Sequence, residues 1–540
     1  IFVLLIFLFR TLAGVFLPIL LVIFSIIMTL GVAAYLGWSL NMLNIVLPLL
    51  LMVISLADSI HIMVSFYNYR QLDYTPKEAA KKTIKTLFIP CFYTTITTFV
   101  GFIALAASKL VPVIQFGIEA AIGVMIAFVL SITVLPAILV HIKGFSRLGE
   151  VNTRIINLLP KFANKHSMKI TLIALTLIPV AAYFARQINI DTSFERNFKQ
   201  NSDIRKSIRF YENNFGGALG LEMVLDSGKA GGAKEPQFLL KTLALQEWLE
   251  SQDCCSRTLS LNDYLFEINA KLNEQQSQYY TVPNSRELVS QYLLLYSNGG
   301  PEEDLTDMIS NDESKIRLSV TFKSRPAKQT SIWINKIKTE LATNYQDLNA
   351  TLTGRTIMFN NMDKYIQNGL ISSFSLAFLL IILSFFILFK SVKYGMLAMF
   401  TSMLPVLIVG GIMGAFDIYL DFATMMVAAV TIGIAVDDSI HFLWHYVNTR
   451  RSGSSRNEAI EFAVKKAGRA IIFTSIILAS GFLMLMFSAF IPTIFFGILG
   501  AIVVVFALLG DLLFLPAFMY LNSNRQKHLG HQNLKTHKLN

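Results

Sequence analysis

The sequence predicts a polytopic α-helical membrane protein: a bundle of two parallel transmembrane repeats carrying one mixed α/β extracytoplasmic domain. Three observations predict it. Of the 540 residues, 54% are hydrophobic, gathered mostly in runs of about 20, the length that crosses ~30 Å of hydrocarbon. The surplus charge of +11 is concentrated in short segments between those runs. Sliding the chain on itself by about 380 positions brings whole motifs into register.

The apolar runs are expected at about Val15–Gly37, Met42–Phe66, Leu87–Ala107, Val111–Val140 and Met168–Ala185. They resume at about Gly369–Phe389, Tyr394–Phe416, Phe422–Trp444, Ala470–Ala489 and Ile491–Leu521. A shorter run, Ile1 to Phe9, ends at Arg10 and reads as the end of a further helix, so about eleven helices are expected. It lacks the basic start and small-residue cleavage site of a signal peptide, and residue 1 is Ile, so an N-terminally truncated sequence is expected.

Charge gives these helices a direction. Arg70, Lys77, Lys81, Lys82 and Lys85 form one basic cluster; Lys143, Arg147, Arg154, Lys161 and Lys165 form another. Arg450, Arg451, Arg456, Lys465, Lys466 and Arg469 form a third, and a tail with Arg525, Lys527, Lys535 and Lys538 a fourth. Basic residues confined to alternate loops follow the positive-inside pattern, which argues against nucleic acid as the partner. The expected organisation is then a first transmembrane repeat at 1–140, a cytoplasmic linker at 141–167 and a helix at 168–185. An extracytoplasmic domain at 186–368 follows, then a second repeat at 369–521 and a polar cytoplasmic tail at 522–540.

The repeat joins the two halves. Asp58-Ser59-Ile60-His61 falls on Asp438-Ser439-Ile440-His441, and Gly101-Phe102 on Gly481-Phe482. Phe116-Gly117-Ile118 falls on Phe496-Gly497-Ile498, and Leu135-Pro136-Ala137 on Leu515-Pro516-Ala517. Equivalent loops carry the same charge, so the repeats are parallel rather than inverted. The domain between them alternates like strands at Leu221–Leu225, Ile316–Phe322 and Leu348–Leu352. It has helical patterns at Gln237–Glu250, Leu261–Leu272 and Ser331–Leu341, which together suggest split β-α-β units. Gly216-Gly217, Gly231-Gly232 and Gly299-Gly300-Pro301 mark turns.

Acids inside apolar runs carry the chemistry. A charged side chain at mid-membrane costs roughly 2.5–3.5 kcal/mol on insertion scales, so Asp437, Asp438 and Asp58 read as a functional site that loads and releases protons. The competing role is to lock helices together by hydrogen bonds. His441 and His61 follow Asp438 and Asp58 at i, i+3, which permits one shared helix face. Their place towards the cytoplasmic interface also suits plain hydration.

Thr94, Thr95, Thr97 and Thr98, with Thr474 and Ser475, could support the acids or bond back to their own helices. Glu119 and Asp511 are secondary candidates with no acidic counterpart in the other repeat. Gly433, Gly410, Gly411 and Gly414 suit close helix packing. Cys91, Cys254 and Cys255 lack metal-ligand spacing, and no phosphate loop or catalytic triad stands out, so neither an enzyme nor a cofactor is expected.

With Gly433-Ile434-Ala435-Val436-Asp437-Asp438, the matching Asp58 site, the duplication and the large loop, the chain resembles the resistance–nodulation–division (RND) superfamily. It is most similar to exporters of the mycobacterial-membrane-protein-large (MMPL) type, related to Patched and the sterol-sensing-domain proteins. That resemblance implies an RND-type bundle of twelve helices with two porter-like domains, the first helix and first domain being missing here. It also implies proton-driven export of hydrophobic or lipid-like molecules, with Asp58, Asp437 and Asp438 as relay residues. The partners expected are protons, membrane lipids and a lipid-like substrate. The setting expected is a bacterial inner membrane, with the protein acting alone, as a homo-oligomer or with a periplasmic partner. Two departures stand out. The first repeat has Ala57 and Val53 where the second has Asp437 and Gly433, and neither acid-bearing helix holds a lysine. A lipid-sensing protein without transport and an accessory factor in protein export are the alternative readings.

Overall fold

A computed structural model describes residues 2–41, 43–142, 153–191, 193–299 and 305–521. It divides into two units: Ile1–Asn189 with Tyr365–Asn540, and Ile190–Lys364. Ten helices among the described residues are long and apolar enough to cross a membrane. They are α2 (Leu12–Tyr35), α3 (Leu47–Gln71), α4 (Pro76–Ile103), α5 (Val111–Val129) with its extension α6 (Leu135–Leu139), and α8 (Ser167–Ala185). The second set is α14 (Arg355–Phe389), α15 (Val392–Ala415), α16 (Phe422–Arg451), α17 (Arg456–Met484) and α18 (Ile491–Leu509). The short α1 (Phe2–Phe9) precedes them, and α7 (Thr153–Lys165) lies just before α8.

Several helices outrun their apolar windows, and the capping residues explain where they begin. The Thr75 side chain accepts from the Glu78 amide at 3.4 Å while Glu78 accepts from the Thr75 amide at 3.0 Å, so α4 starts well before Leu87. Ser455 and Glu458 repeat this box at 3.3 and 2.9 Å, so α17 starts at Arg456 rather than near Ala470. Each box satisfies backbone donors that the first turn leaves free. A hydropathy window sees only the part of a helix that meets lipid.

The repeat extends to irregular backbone. Ser108 and Ser488 each follow a short 3₁₀ turn, and π-helical turns at Leu130–Val134 and Gly510–Phe514 interrupt the fifth helix of each repeat at equivalent positions. Arg10 and Lys390, also equivalent, both take positive φ (51° and 48°). Between repeats, the acid-bearing helices exchange neighbours: α16 packs against α4, and α3 against α17.

The second unit is built on a four-stranded antiparallel sheet of order β2-β3-β1-β4, where β1 is Leu219–Asp226, β2 Cys255–Leu259, β3 Lys315–Phe322 and β4 Thr351–Thr353. β3 lies between β1 and β2, and β1 between β3 and β4, so each β-α-β crossover is split by a strand. Leu221, Met223 and Leu225 join Ile316, Leu318, Val320 and Phe322 on the buried face, covered by α10 (Pro236–Glu250), α11 (Leu261–Leu272) and α13 (Ala327–Asn344). The last expected strand begins three residues late, because Leu348 anchors a 3₁₀ turn and Asn349 turns the chain at φ 38°. Strand β2 and two helices, α9 (Asp203–Phe215) and α12 (Arg286–Gly299), had no expectation. β2 is a bulged edge strand with little apolar alternation, and α9 buries no side chain. The turn at Gly299-Gly300-Pro301 lies, from residue 300 on, outside the described residues. So do Met42, linker residues 143–152 and the tail from 522.

Candidate functional site

Gly433 sets the spacing at the centre of the bundle. A Cβ there would lie 3.1 Å from the Thr98 Cα, so the glycine lets α16 settle onto α4. One turn on, the Thr98 hydroxyl donates to Asp437 at 3.3 Å. Asp438 turns to the other neighbour, where Ser475 of α17 donates to it at 3.3 Å. Adjacent carboxylates thus each take a hydroxyl, one from each repeat. Asp58 of α3 lies within electrostatic reach of Asp437, and so does Asp511. None of Asp58, Asp437, Asp438 and Asp511 makes an ion pair among the described residues.

Asp511 enters through Ser439. It sits in the π-helical turn after α18, 1% exposed, and accepts a hydrogen bond from Ser439, the residue after Asp438. Its second oxygen has no hydrogen-bond partner among the described residues. The equivalent contact in the first repeat is Ser59 with Ser131 at 3.4 Å, two hydroxyls. The same geometry therefore carries a carboxylate only in the second repeat. Nothing in the repeat alignment marks Ser439 as a partner; its contact depends on how α16 and α18 cross.

The other candidates divide. Thr94 and Thr474 donate to carbonyls of their own helices, Cys91 at 2.8 Å and Ala470 and Ile471 at 3.0 Å, and so do not serve the acids. Thr95 and Thr97 do the same. A hydroxyl on a helix reaches the i−3 or i−4 carbonyl unless a neighbouring helix offers a better acceptor. Glu119 stands apart: Asn44, just before α3 begins, donates to it at 2.9 Å. Asp58 is about three helical turns further along α3. His61 and His441 stack face to face, ring centroids 4.1 Å apart and planes 5° from parallel. Gly411 and Gly414 receive α8: a Cβ on Gly411 would lie 2.7 Å from the Ala181 Cα, and one on Gly414 would collide with the Phe184 carbonyl. At Gly410 the nearest atom, the Ala185 Cβ, is at an ordinary 3.5 Å. All three cysteines are free thiols.

Two cavities could hold an apolar or amphipathic molecule. In the membrane unit, Ile178, Phe374, Phe400, Met403, Leu407 and Val427 line an apolar groove of about 660 Å³. In the other unit, a cavity of about 540 Å³ combines Ile204, Ile208, Leu219 and Phe359 with Arg325 and Arg355.

The model of the MMPL family matches residues 273–537, and that of the sterol-sensing domain of SREBP cleavage-activation matches residues 11–144. A protein of Methanocaldococcus jannaschii described as a membrane protein is 23% identical over 370 residues, 66% of this chain and 91% of that protein. Among solved structures, SecDF in its super-membrane-facing form matches with a TM-score of 0.59 and 13% identity, over 98% of this chain. The match spans 61% of the SecDF chain, and at that identity the likeness is one of fold alone.

Proposed function

We propose that this multi-pass membrane protein is of the RND/MMPL type and works as a proton-driven transporter exporting lipidic, hydrophobic or amphipathic molecules. The observation that carries this reading is the acidic cluster: Asp437 and Asp438, each bonded by a hydroxyl from a different repeat, with Asp58 close by and no ion pair among the described residues. Carboxylates without a fixed countercharge, buried (Asp438) or half-buried (Asp58, Asp437) where the repeats meet, can change charge and so bias one arrangement of the bundle against another. A proton falling through 100 mV supplies about 2.3 kcal/mol, enough to shift a two-state equilibrium some fifty-fold. The apolar groove and the amphipathic cavity supply room for lipid-like cargo. Asp437 and Asp438 are the principal relay residues in this reading, with Asp58 as their partner and Asp511 attached through Ser439. The basic ends of the helices face the cytoplasm.

Asp438→Asn tests this. Gradient-dependent flux should fall at least a hundredfold in vesicles, across a panel of fluorescent lipids and hydrophobic dyes, while insertion and thermal stability stay close to wild type. Wild-type flux from that variant would overturn the reading.

The sterol-sensing match over residues 11–144 favours a second reading, a lipid sensor that does not transport. It predicts lipid binding that survives neutralisation of Asp58, Asp437 and Asp438 together and is indifferent to the proton gradient.

A further inference from the structure

His61 and His441 occupy the same place in the two repeats, each three residues beyond its aspartate and so one turn nearer the basic end of its helix. Only 8% and 3% exposed, they meet ring to ring at 4.1 Å across the boundary between the repeats. Beyond the stack, at the basic ends of α3, α4, α16 and α17, opens a cavity of about 340 Å³. Ser65, Asn68, Tyr69, Thr86, His445 and Lys466 bring polar groups into a wall that is otherwise apolar. At ~30 Å³ per molecule it has room for several waters. The opposite side of the stack leads to Asp58 and Asp438, at the 5–6 Å Cβ spacing typical of i, i+3 pairs on a helix.

We infer that the His61–His441 stack is the gate through which protons pass between the acids at the repeat boundary and the cavity at the basic side. This rests on the proton-driven reading given above. In each passage a carboxyl O–H gives its proton to one ring nitrogen, leaving a carboxylate and an imidazolium. The N–H on the other ring nitrogen then releases a proton to cavity water and leaves a neutral ring in its other tautomer, which a ring flip resets before the next passage; the reverse passage runs the same steps backwards. Imidazole suits the task because its two nitrogens can take and give on opposite sides. Two positively charged rings held face to face repel, so the pair passes one proton at a time.

The ionisable groups around the stack are few. Asp58 lies on its own helix α3, with Asp437, Asp438 and His445 on α16. Tyr69 and Lys466 line the cavity, from α3 and α17. Lys466 disfavours a lasting positive charge both on the rings and in the cavity, so a proton is held at neither and passes on to bulk water.

The test is proton entry into liposomes holding the whole chain, with pyranine inside and a potassium–valinomycin potential. Wild type, His61→Gln, His441→Gln, His61→Ala, His441→Ala and Asp438→Asn are compared. Asp438→Asn should be silent, and each histidine variant should slow entry at least tenfold. Millimolar imidazole on the basic side should restore the Ala variants but leave Asp438→Asn silent. The Gln variants keep polarity and bulk, so a folding failure of the Ala variants does not remove the comparison. Wild-type rates in the histidine variants beside a silent Asp438→Asn would overturn the gate alone. Slowed variants that imidazole cannot rescue would do the same, reducing the stack to a packing contact. An Asp438→Asn variant as fast as wild type, or wild type no faster than empty vesicles, would overturn the transport reading and the gate with it.

Discussion

Gly433 of α16 lies against Thr98 of α4 so closely that an added Cβ would sit 3.1 Å from the threonine Cα and 3.4 Å from its Cγ2. The contact joins the two repeats and aims the Thr98 hydroxyl at Asp437. Gly433→Ala should be tolerated with a small shift of α4, whereas Gly433→Val should force the helices apart. Overpacking of this kind destabilises by about 1–3 kcal/mol. Transport by the Val variant should drop at least tenfold, and a thermal-unfolding scan in detergent beside the flux assay reads both effects.

The Ser439–Asp511 contact has its counterpart in Ser59–Ser131, which shows that a hydroxyl is accommodated at this turn. Asp511→Ser makes the second repeat like the first. The melting temperature should stay within a few degrees of wild type, while proton-coupled flux falls at least tenfold if the unpartnered Asp511 oxygen takes part in the relay. Unchanged flux at several external pH values would remove Asp511 from the proposed relay.

The crossing of α8 and α15 offers a graded comparison between glycines four residues apart. Gly414→Ala sets a methyl against the Phe184 carbonyl, a backbone atom that cannot swing away, and should destabilise the protein by about 1–3 kcal/mol. Gly410→Ala places its methyl at an ordinary contact distance from Ala185 and should change stability by less than about 0.5 kcal/mol. Thermal unfolding of the two variants separates them directly.

On the sheet of the second unit, Glu222 takes both Nε and Nη2 of Arg317, at 2.8 and 3.1 Å, and the Ser319 hydroxyl. Partial burial pushes its carboxyl up, but the bonds from Arg317 and Ser319 outweigh that and hold it below its ordinary 4.5. A folded-state value below the unfolded one stabilises the fold above the unfolded value, and the benefit is lost as pH falls through the lower, folded value. Glu222→Gln should therefore cost about 0.5–1 kcal/mol near neutrality, the scale of a half-exposed pair with two-point geometry. The difference between variant and wild type should shrink below pH 4.5. Unfolding midpoints of both proteins from pH 3 to 7 check the sign; a gap that widens on acidification would contradict it.

The membrane spans, the parallel repeat and the split β-α-β domain were legible in the sequence because each depends on a one-dimensional property. Runs of apolar residues mark spans, alternation marks Leu221–Leu225 and Ile316–Phe322, and Asp58-Ser59-Ile60-His61 repeats at Asp438 without a gap. Asp437 and Asp438 stood out in the sequence for the same reason: a carboxylate in an apolar run is expensive wherever the helix points. Side-chain partners were not. A span that is apolar all round gives no sign of which face meets which neighbour. Tertiary packing therefore decided that Thr98 and Ser475, and not Thr94 or Thr474, reach the acids. It separated Glu119, bonded to Asn44, from Asp511, drawn in by Ser439. It also laid His61 on His441. These relationships depend on helix rotation and crossing, set by close contacts such as Gly433 with Thr98 and Gly414 with Phe184, which have no counterpart in composition or periodicity.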